Sequence, residues 1–181
     1  MTAERVQHWT NAMQDARGNV PTELKDKLIR LVAIFTREGD FGDSVVLGLK
    51  ATELSLFERP EDGSTQARVV FELTVTRDMV NTHDMLHGGC SAFIVDTCSS
   101  IALALAGYAK GGNVDLVSQA LNTNYFAGAS LGDKLEIVNV TLATGSRTST
   151  ARTEIWDTTT RRLCASGTHV KMRPAASNLK L

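Results

Sequence analysis

Residues 87–107, HGGCSAFIVDTCSSIALALAG, form the most apolar segment of this 181-residue chain. Small and apolar residues occupy nearly every side of a helical projection of this stretch, which is long enough for about five or six turns. A helix that is apolar all round is a buried helix. Glycines at positions 107, 111 and 112 are expected to end it. We therefore predict one long core helix around which the rest of the chain folds.

Segments with the pattern of strands lie on both sides of this helix. On the N-terminal side, residues 44–58 and 66–76 are predicted to form a hairpin, because apolar and polar residues alternate in the second segment. On the C-terminal side, four further strands are predicted over residues 114–126, 134–143, 147–157 and 162–172. Strands segregated from a single long helix favour an α+β fold, with a six-stranded antiparallel sheet wrapped around that helix.

The N-terminal part of the chain is expected to lie outside this sheet. Residues 1–20 are polar and irregular, and we interpret them as an arm. A helix should follow, because apolar side chains recur on one helical face at Leu24, Leu28, Leu31 and Phe35. Thr22 is placed to cap this extra helix. The predicted divisions are an arm and helix over 1–43, the α+β domain over 44–173 and a flexible tail over 174–181.

Charge and composition exclude several classes of function. The chain has 19 basic and 20 acidic residues, so a nucleic-acid-binding surface is not expected. No uninterrupted apolar run approaches about 18 residues, so no membrane span is expected. The three cysteines, Cys90, Cys98 and Cys164, are an odd number at no metal-like spacing. We therefore expect no disulfide framework and no metal site.

The compartment is predicted from the chain ends. The first 20 residues lack the apolar segment of a secretory signal, which favours a cytoplasmic location. A mitochondrial location stays open. The ending Leu179-Lys180-Leu181 only partly resembles the peroxisomal Ser-Lys-Leu tail, so a peroxisomal location is not favoured.

The start of the core helix is a candidate binding site. Gly88 and Gly89 lie where the first backbone N–H groups of a helix have no intrahelical partner. Such groups at the positive end of a helix can hold an anion or an oxyanion. Glycines there let a substrate approach the bare backbone. The alternative is that they only allow tight packing at the helix entrance.

Asp96 is the second candidate, because an acid in a buried helix is costly unless it is paired or needed. The simplest alternative is a carboxylate hydrogen-bonded to Thr97, Ser99 or Ser100. His87 and Asp96 are nine positions apart, which puts them on opposite helix faces and roughly 13 Å apart. They cannot serve one reaction centre within one chain. In a two-fold dimer with the helices side by side, the helix start of one protomer would meet the acid of the other.

The combined pattern resembles a known family. The residues Asn81-x5-His87-Gly88-Gly89-x6-Asp96 are followed by the segments 117–126 and 167–171. Together they resemble the hotdog-fold thioesterases, in particular the PaaI-like and acyl-CoA thioesterase 13 subgroup, over about residues 44–173. The resemblance implies a hotdog fold and hydrolysis of an acyl-CoA to a carboxylic acid and coenzyme A. It also implies a homodimer or a dimer of dimers with sites shared between protomers. No cofactor is expected, since coenzyme A is part of the substrate.

The resemblance also implies a role for each site residue. Asp96 would attack the thioester carbonyl or activate water for that attack. The Gly88 N–H would polarise the carbonyl oxygen, and Asn81 and His87 would position the thioester or the water. Ser118 would help to hold the water, unless its hydroxyl only satisfies the sheet.

Some residues and functions stay open from sequence. His169 is predicted to be a surface histidine, although a place near the coenzyme is the alternative. Nothing selects among Arg147, Arg152, Arg162 and Lys171 as phosphate-binding cations, and each is expected to be solvated on the outer sheet face. A non-catalytic acyl-CoA-binding module and a hydratase are the alternative functions, because one fold can host several activities.

Overall fold

The computed structural model describes residues 2–112 and 114–174 and has the predicted α+β architecture, a six-stranded antiparallel sheet packed against one long helix. The helices are α1 (Ala3–Met13), α2 (Thr22–Phe35), α3 (Asp43–Gly48) and α4 (Gly88–Ala109). The strands are β1 (Lys50–Glu58), β2 (Thr65–Thr74), β3 (Val117–Tyr125), β4 (Lys134–Thr144), β5 (Thr148–Asp157) and β6 (Arg162–Met172). Their order in the sheet is β1-β2-β4-β5-β6-β3, so β1 and β3 are the edge strands.

Helix α4 is the predicted core helix, and it begins and ends within two residues of the predicted limits. By length and apolar composition alone it could also cross a membrane. However, 61% of its most apolar window is buried inside the protein. Its apolar character is therefore accounted for by packing against β2, β4 and β5 on one side and α2 on the other.

Close packing of α4 on the sheet depends on a glycine in β6. A Cβ atom added at Gly167 would lie 2.6 Å from Val95 Cγ1 and 3.2 Å from the Asn122 carbonyl oxygen. Val95 is fully buried on α4 and immediately precedes Asp96. Gly167 therefore lets α4 approach β6 closely at the point where the candidate acid lies.

The N-terminal arm is not irregular, and that prediction was wrong. Residues 3–13 form helix α1, whose start is capped by the Thr2 hydroxyl accepting from the Arg5 N–H at 3.3 Å. Trp9 and Met13, four positions apart on one face, are fully buried. The sequence looks polar because this face is narrow, and it becomes helical because α2 and the core cover Trp9 and Met13.

Two other predictions about the N-terminal region were wrong in detail. Thr22 is the first residue of α2 rather than its cap, and the preceding Pro21 makes no side-chain cap hydrogen bond. The strand predicted over residues 44–58 begins only at Lys50, because α3 occupies residues 43–48. Val45 and Val46 point into the core from this short helix, so their apolar character did not indicate a strand. The predicted tail over 174–181 lies, apart from Pro174, outside the described residues.

Candidate active site

Asp96 presents its carboxylate to two side chains from the sheet. Ser118 Oγ, on β3, donates a hydrogen bond to Asp96 Oδ1 at 3.1 Å. His169 Nε2, on β6, lies 3.2 Å from the same oxygen. The alternative of a carboxylate satisfied by its own helix does not hold for Ser99 or Ser100. Their hydroxyls donate instead to the Asp96 backbone carbonyl oxygen, at 3.2 and 2.7 Å. The Asp96 side chain is 42% exposed, so the carboxylate remains reachable.

His169 is fully buried, so the prediction of a surface histidine was wrong. Its Nδ1 lies 2.7 Å from Ser99 Oγ, and its Nε2 lies 2.9 Å from Ser118 Oγ. Because a carboxylate only accepts, the protonation state that fits this contact carries a proton on Nε2. Ser99 Oγ also donates to the Asp96 backbone carbonyl oxygen at 3.2 Å. Burial lowers the pKa of His169 below its usual value of 6.5, and the Asp96 carboxylate opposes that shift.

Lys171 also belongs to this region, although it was expected on the solvated outer face of the sheet. Its Nζ donates to Ser100 Oγ at 2.8 Å. Burial lowers the pKa of Lys171, and the nearby Asp96 carboxylate opposes that shift. Asp96 thus lies close to one lysine and one histidine, and both of those side chains come from β6. Side chains alternate along β6, so positions 169 and 171 lie on the same face of the strand. The sequence alone does not show that this face meets α4.

The helix start carries the other candidate residues. His87 precedes α4, and its Nδ1 accepts a hydrogen bond from the Gly89 N–H at 2.9 Å. Asn81 Oδ1 accepts from the backbone N–H groups of His83 and Met85, at 2.9 and 3.2 Å, and so fixes the loop before the helix. Because the oxygen of the Asn81 amide accepts both hydrogen bonds, the group with which Asn81 can donate is its amide NH2.

Tight packing does not explain why position 88 is a glycine. A Cβ atom there would lie 3.5 Å from the nearest atom of Tyr125, which is an ordinary van der Waals contact. Tyr125 lies at the end of β3, and its hydroxyl donates to the Gly88 carbonyl oxygen at 3.0 Å. Packing within this chain would therefore accept a methyl group at position 88 in contact with Tyr125.

The two groups of candidate residues lie against different cavities. Asp96 lines a cavity of about 280 Å³ between α4 and the α2–α3 region. Asn81 and Gly88 line a separate cleft of about 340 Å³ that also includes Tyr125. Ser118 joins the first group and Tyr125 the second, from opposite ends of β3. Within one chain, the acid and the helix start therefore lie against separate cavities, as their spacing in the sequence predicted.

Sequence comparison places this arrangement in a family. The model of the thioesterase superfamily matches residues 83–164, which include the start of α4, Asp96 and β3 to β5. Acyl-coenzyme A thioesterase 13 from mouse is 30% identical over 104 residues, covering 58% of this chain and 71% of that protein. The human protein of the same name matches with the same identity and coverage. This chain belongs to the thioesterase superfamily.

Solved structures of similar proteins have the same fold as this superfamily member. Zebrafish thioesterase superfamily member 2 superposes with a TM-score of 0.63 at 25% identity, covering 80% of this chain and 94% of that one. A mutant of the phenylacetic acid degradation protein PaaI from Thermus thermophilus gives a TM-score of 0.54 at 25% identity, covering 74% of this chain and 98% of that one. The hotdog fold and the PaaI-like resemblance are thereby confirmed.

Proposed function

We propose that this superfamily member is an acyl-CoA thioesterase that hydrolyses an acyl-CoA to a carboxylic acid and free coenzyme A. The observation that carries the proposal is the Asp96 carboxylate, held by Ser118 and His169 and facing a largely apolar cavity. The names of its relatives, acyl-coenzyme A thioesterase 13, support the same substrate class. Coenzyme A enters as part of the substrate, so the reaction needs no cofactor.

Asp96 is proposed to start the reaction as a general base or as a nucleophile. As a base, it takes a proton from water while the water oxygen bonds to the thioester carbon. As a nucleophile, it forms a mixed anhydride that water then opens. In both routes the C–S bond breaks and the thiolate leaves with the bonding electrons. The Ser118 hydroxyl, which donates to Oδ1, fixes the orientation of the carboxylate.

The helix start is proposed to stabilise the oxyanion that forms on the carbonyl oxygen. Gly88 is the first residue of α4, and the first N–H groups of a helix have no intrahelical partner. A donor aimed at a developing oxyanion is typically worth about 100- to 1,000-fold in rate. Asn81 lines the same cleft, and its amide nitrogen is proposed to position the thioester. His87, which directly precedes Gly88, is proposed to help to position the thioester or the water.

We propose that a complete site forms between two copies of the chain. Strand β3 is an edge strand whose residues are all exposed except the half-buried Thr123. Ser118 lies near one end of β3 and Tyr125 at the other. Antiparallel pairing of two β3 strands, centred on Leu121 and Asn122, would place Ser118 of one copy opposite Tyr125 of the other. Each Asp96 would then face the Gly88 N–H of its partner.

Thiol release from acyl-CoA is the experiment that tests this function. Wild type should release thiol, and Asp96→Asn should lower kcat by about 100- to 10,000-fold, because the amide cannot take up a proton or attack. Asp26→Asn, which neutralises an exposed acid on α2, is the matched control and should retain full activity. A blank without substrate corrects for the three cysteines of the protein.

Full activity in Asp96→Asn would reject the assigned role of Asp96. A folded wild type that binds acyl-CoA tightly in calorimetry but releases no thiol would instead identify a binding module.

A further inference from the structure

We infer that helix α2, helix α3 and the loop between them form one wall of the acyl-binding pocket and limit the acyl group to about ten carbon atoms. The inference rests on the proposed thioesterase function and adds the substrate class. This wall, residues 22–48, lies entirely outside the region that matches the superfamily model, residues 83–164. The acyl preference is therefore assigned to a part of the chain that the superfamily match does not cover.

The first step of the argument is that the cavity next to Asp96 has its opposite wall in this segment. Leu31, Phe35 and Phe41 face it from α2 and the following loop. Phe93 faces it from α4, three residues before Asp96 and therefore on the same helical face. Apolar side chains thus line the cavity from both sides, as an aliphatic chain requires.

The second step is that the charged groups of this cavity already have partners in the described residues. Asp43 forms an ion pair with Arg5 at 2.8 Å, and Arg37 forms one with Asp40 at 3.1 Å. Lys171 donates to Ser100. A charged acyl group would have to compete for these partners, whereas an aliphatic one would not. The cavity therefore favours an uncharged acyl group.

The third step is that contacts from α1 and α4 hold the wall in place. Trp9 Nε1 donates to Thr36 Oγ1 at 2.9 Å, which fixes the end of α2. Phe41 packs edge-on against Phe93, with ring centroids 5.2 Å apart and an interplanar angle of 84°. Gly42 has a φ of +72°, and a Cβ atom there would lie 2.3 Å from the Phe93 ring. The loop thus approaches α4 as closely as a glycine permits.

The fourth step gives the length of the acyl group. The cavity runs beside α4 from Asp96 through Ser100 to Ala104. Eight residues of helix span about 12 Å. An extended chain with C–C bonds of about 1.5 Å advances somewhat less than that per bond, so about ten carbon atoms fill the distance. The cavity volume of about 280 Å³ is consistent with one chain of this size.

The experiment measures kcat/KM for straight-chain acyl-CoAs from butanoyl to hexadecanoyl, below the concentration at which they form micelles. Burying a methylene group gives up to about fourfold per carbon. We expect kcat/KM to rise at least about tenfold from butanoyl to decanoyl, and to change less than about threefold from decanoyl to hexadecanoyl. A rise that continues to hexadecanoyl would overturn the length limit.

Matched variants test the wall itself. Leu31→Trp fills the cavity from α2, and Ala104→Leu fills it from the far end beside α4. Each should lower the ratio of decanoyl to butanoyl kcat/KM by at least about tenfold, since several methylenes lose their site. Ile34 lies on α2 but does not line the cavity, so Ile34→Trp should leave the ratio unchanged. An unchanged ratio in both filled variants would overturn the role of this segment.

Calorimetry with Asp96→Asn separates the inference from the proposed function. Binding of decanoyl-CoA that Leu31→Trp weakens at least about tenfold supports the pocket even without turnover. Equal binding with and without Leu31→Trp rejects the pocket even if wild type releases thiol.

Discussion

At the scale of single residues, the most informative contact is the one that joins Asp96 to His169. The histidine is buried between the Ser99 and Ser118 hydroxyls, and its Nε2 faces the same carboxylate oxygen that Ser118 contacts. His169 and Ser118 therefore fix one oxygen of Asp96. We propose that the other oxygen, for which the described residues show no hydrogen bond, faces water or the thioester. An imidazole that only orients the acid is then a positioning residue.

The variant His169→Gln tests this positioning role. It should lower kcat by up to about 100-fold, because a displacement of the carboxylate by about 1 Å has an effect of that size. KM should change much less, since His169 does not line the cavity beside Asp96. His169→Ala should be more severely affected, because it cannot donate to the carboxylate. Equal, near-wild-type kcat in both variants would show that His169 serves only packing.

The same variant has a second, independent readout in the pH dependence of folding. Burial lowers the pKa of His169 below 6.5 in the folded protein. Between the two pKa values, His169 is therefore protonated more in the unfolded chain than in the folded chain. The free energy of unfolding should therefore fall as the pH is lowered below about 6.5, towards the folded-state pKa. Urea unfolding at pH 7.5 and pH 5.5 should show a smaller fall for His169→Gln than for wild type. An identical fall would assign the pH dependence to other groups.

Among the helices and strands, those with a clear local pattern of apolar residues were predicted correctly. Features that depend on packing against another element were missed. Helix α4 was predicted within two residues because its apolar character is continuous. Helix α1 was missed because Trp9 and Met13 are buried only once α2 covers them. His169 and Lys171 were misplaced because a strand sequence does not show which of its faces meets α4. Gly88 and Asp96 were singled out because each residue type is unusual at its place in α4, and their roles stay predictions.

Gly167 in β6 gives the prediction that belongs to this scale. Gly167→Ala should destabilise the protein by about 1–3 kcal/mol, because the new methyl group collides with the stiff, buried Val95. Activity should also fall, since Val95 precedes Asp96. Urea unfolding measures the loss, and Val95→Ala supplies the control. The double variant should be less destabilised than the sum of the two single variants. Strict additivity would contradict the proposed collision.

At the scale of the whole molecule, the division of the candidate residues between two cavities is the feature with the widest effect. Asp96 lines one cavity, and Asn81 and Gly88 line the other. The nine-residue spacing of His87 and Asp96 indicated from sequence that one chain cannot bring the helix start and the acid together. The partner strand that would unite them is a property of an assembly, so the pairing of β3 remains a proposal.

If each active site takes Asp96 from one copy and Asn81 from the other, two different inactive variants can restore activity to each other. A chain with Asp96→Asn and a chain with Asn81→Ala should each be inactive alone. When they are unfolded together in equal amounts and refolded, about half of the dimers should be mixed, and each mixed dimer should regain one intact site of its two. The mixture should recover about a quarter of wild-type thiol release, so two defective alleles would complement each other in one cell. No recovery, with mixed dimers detected by mass, would show that each chain works alone.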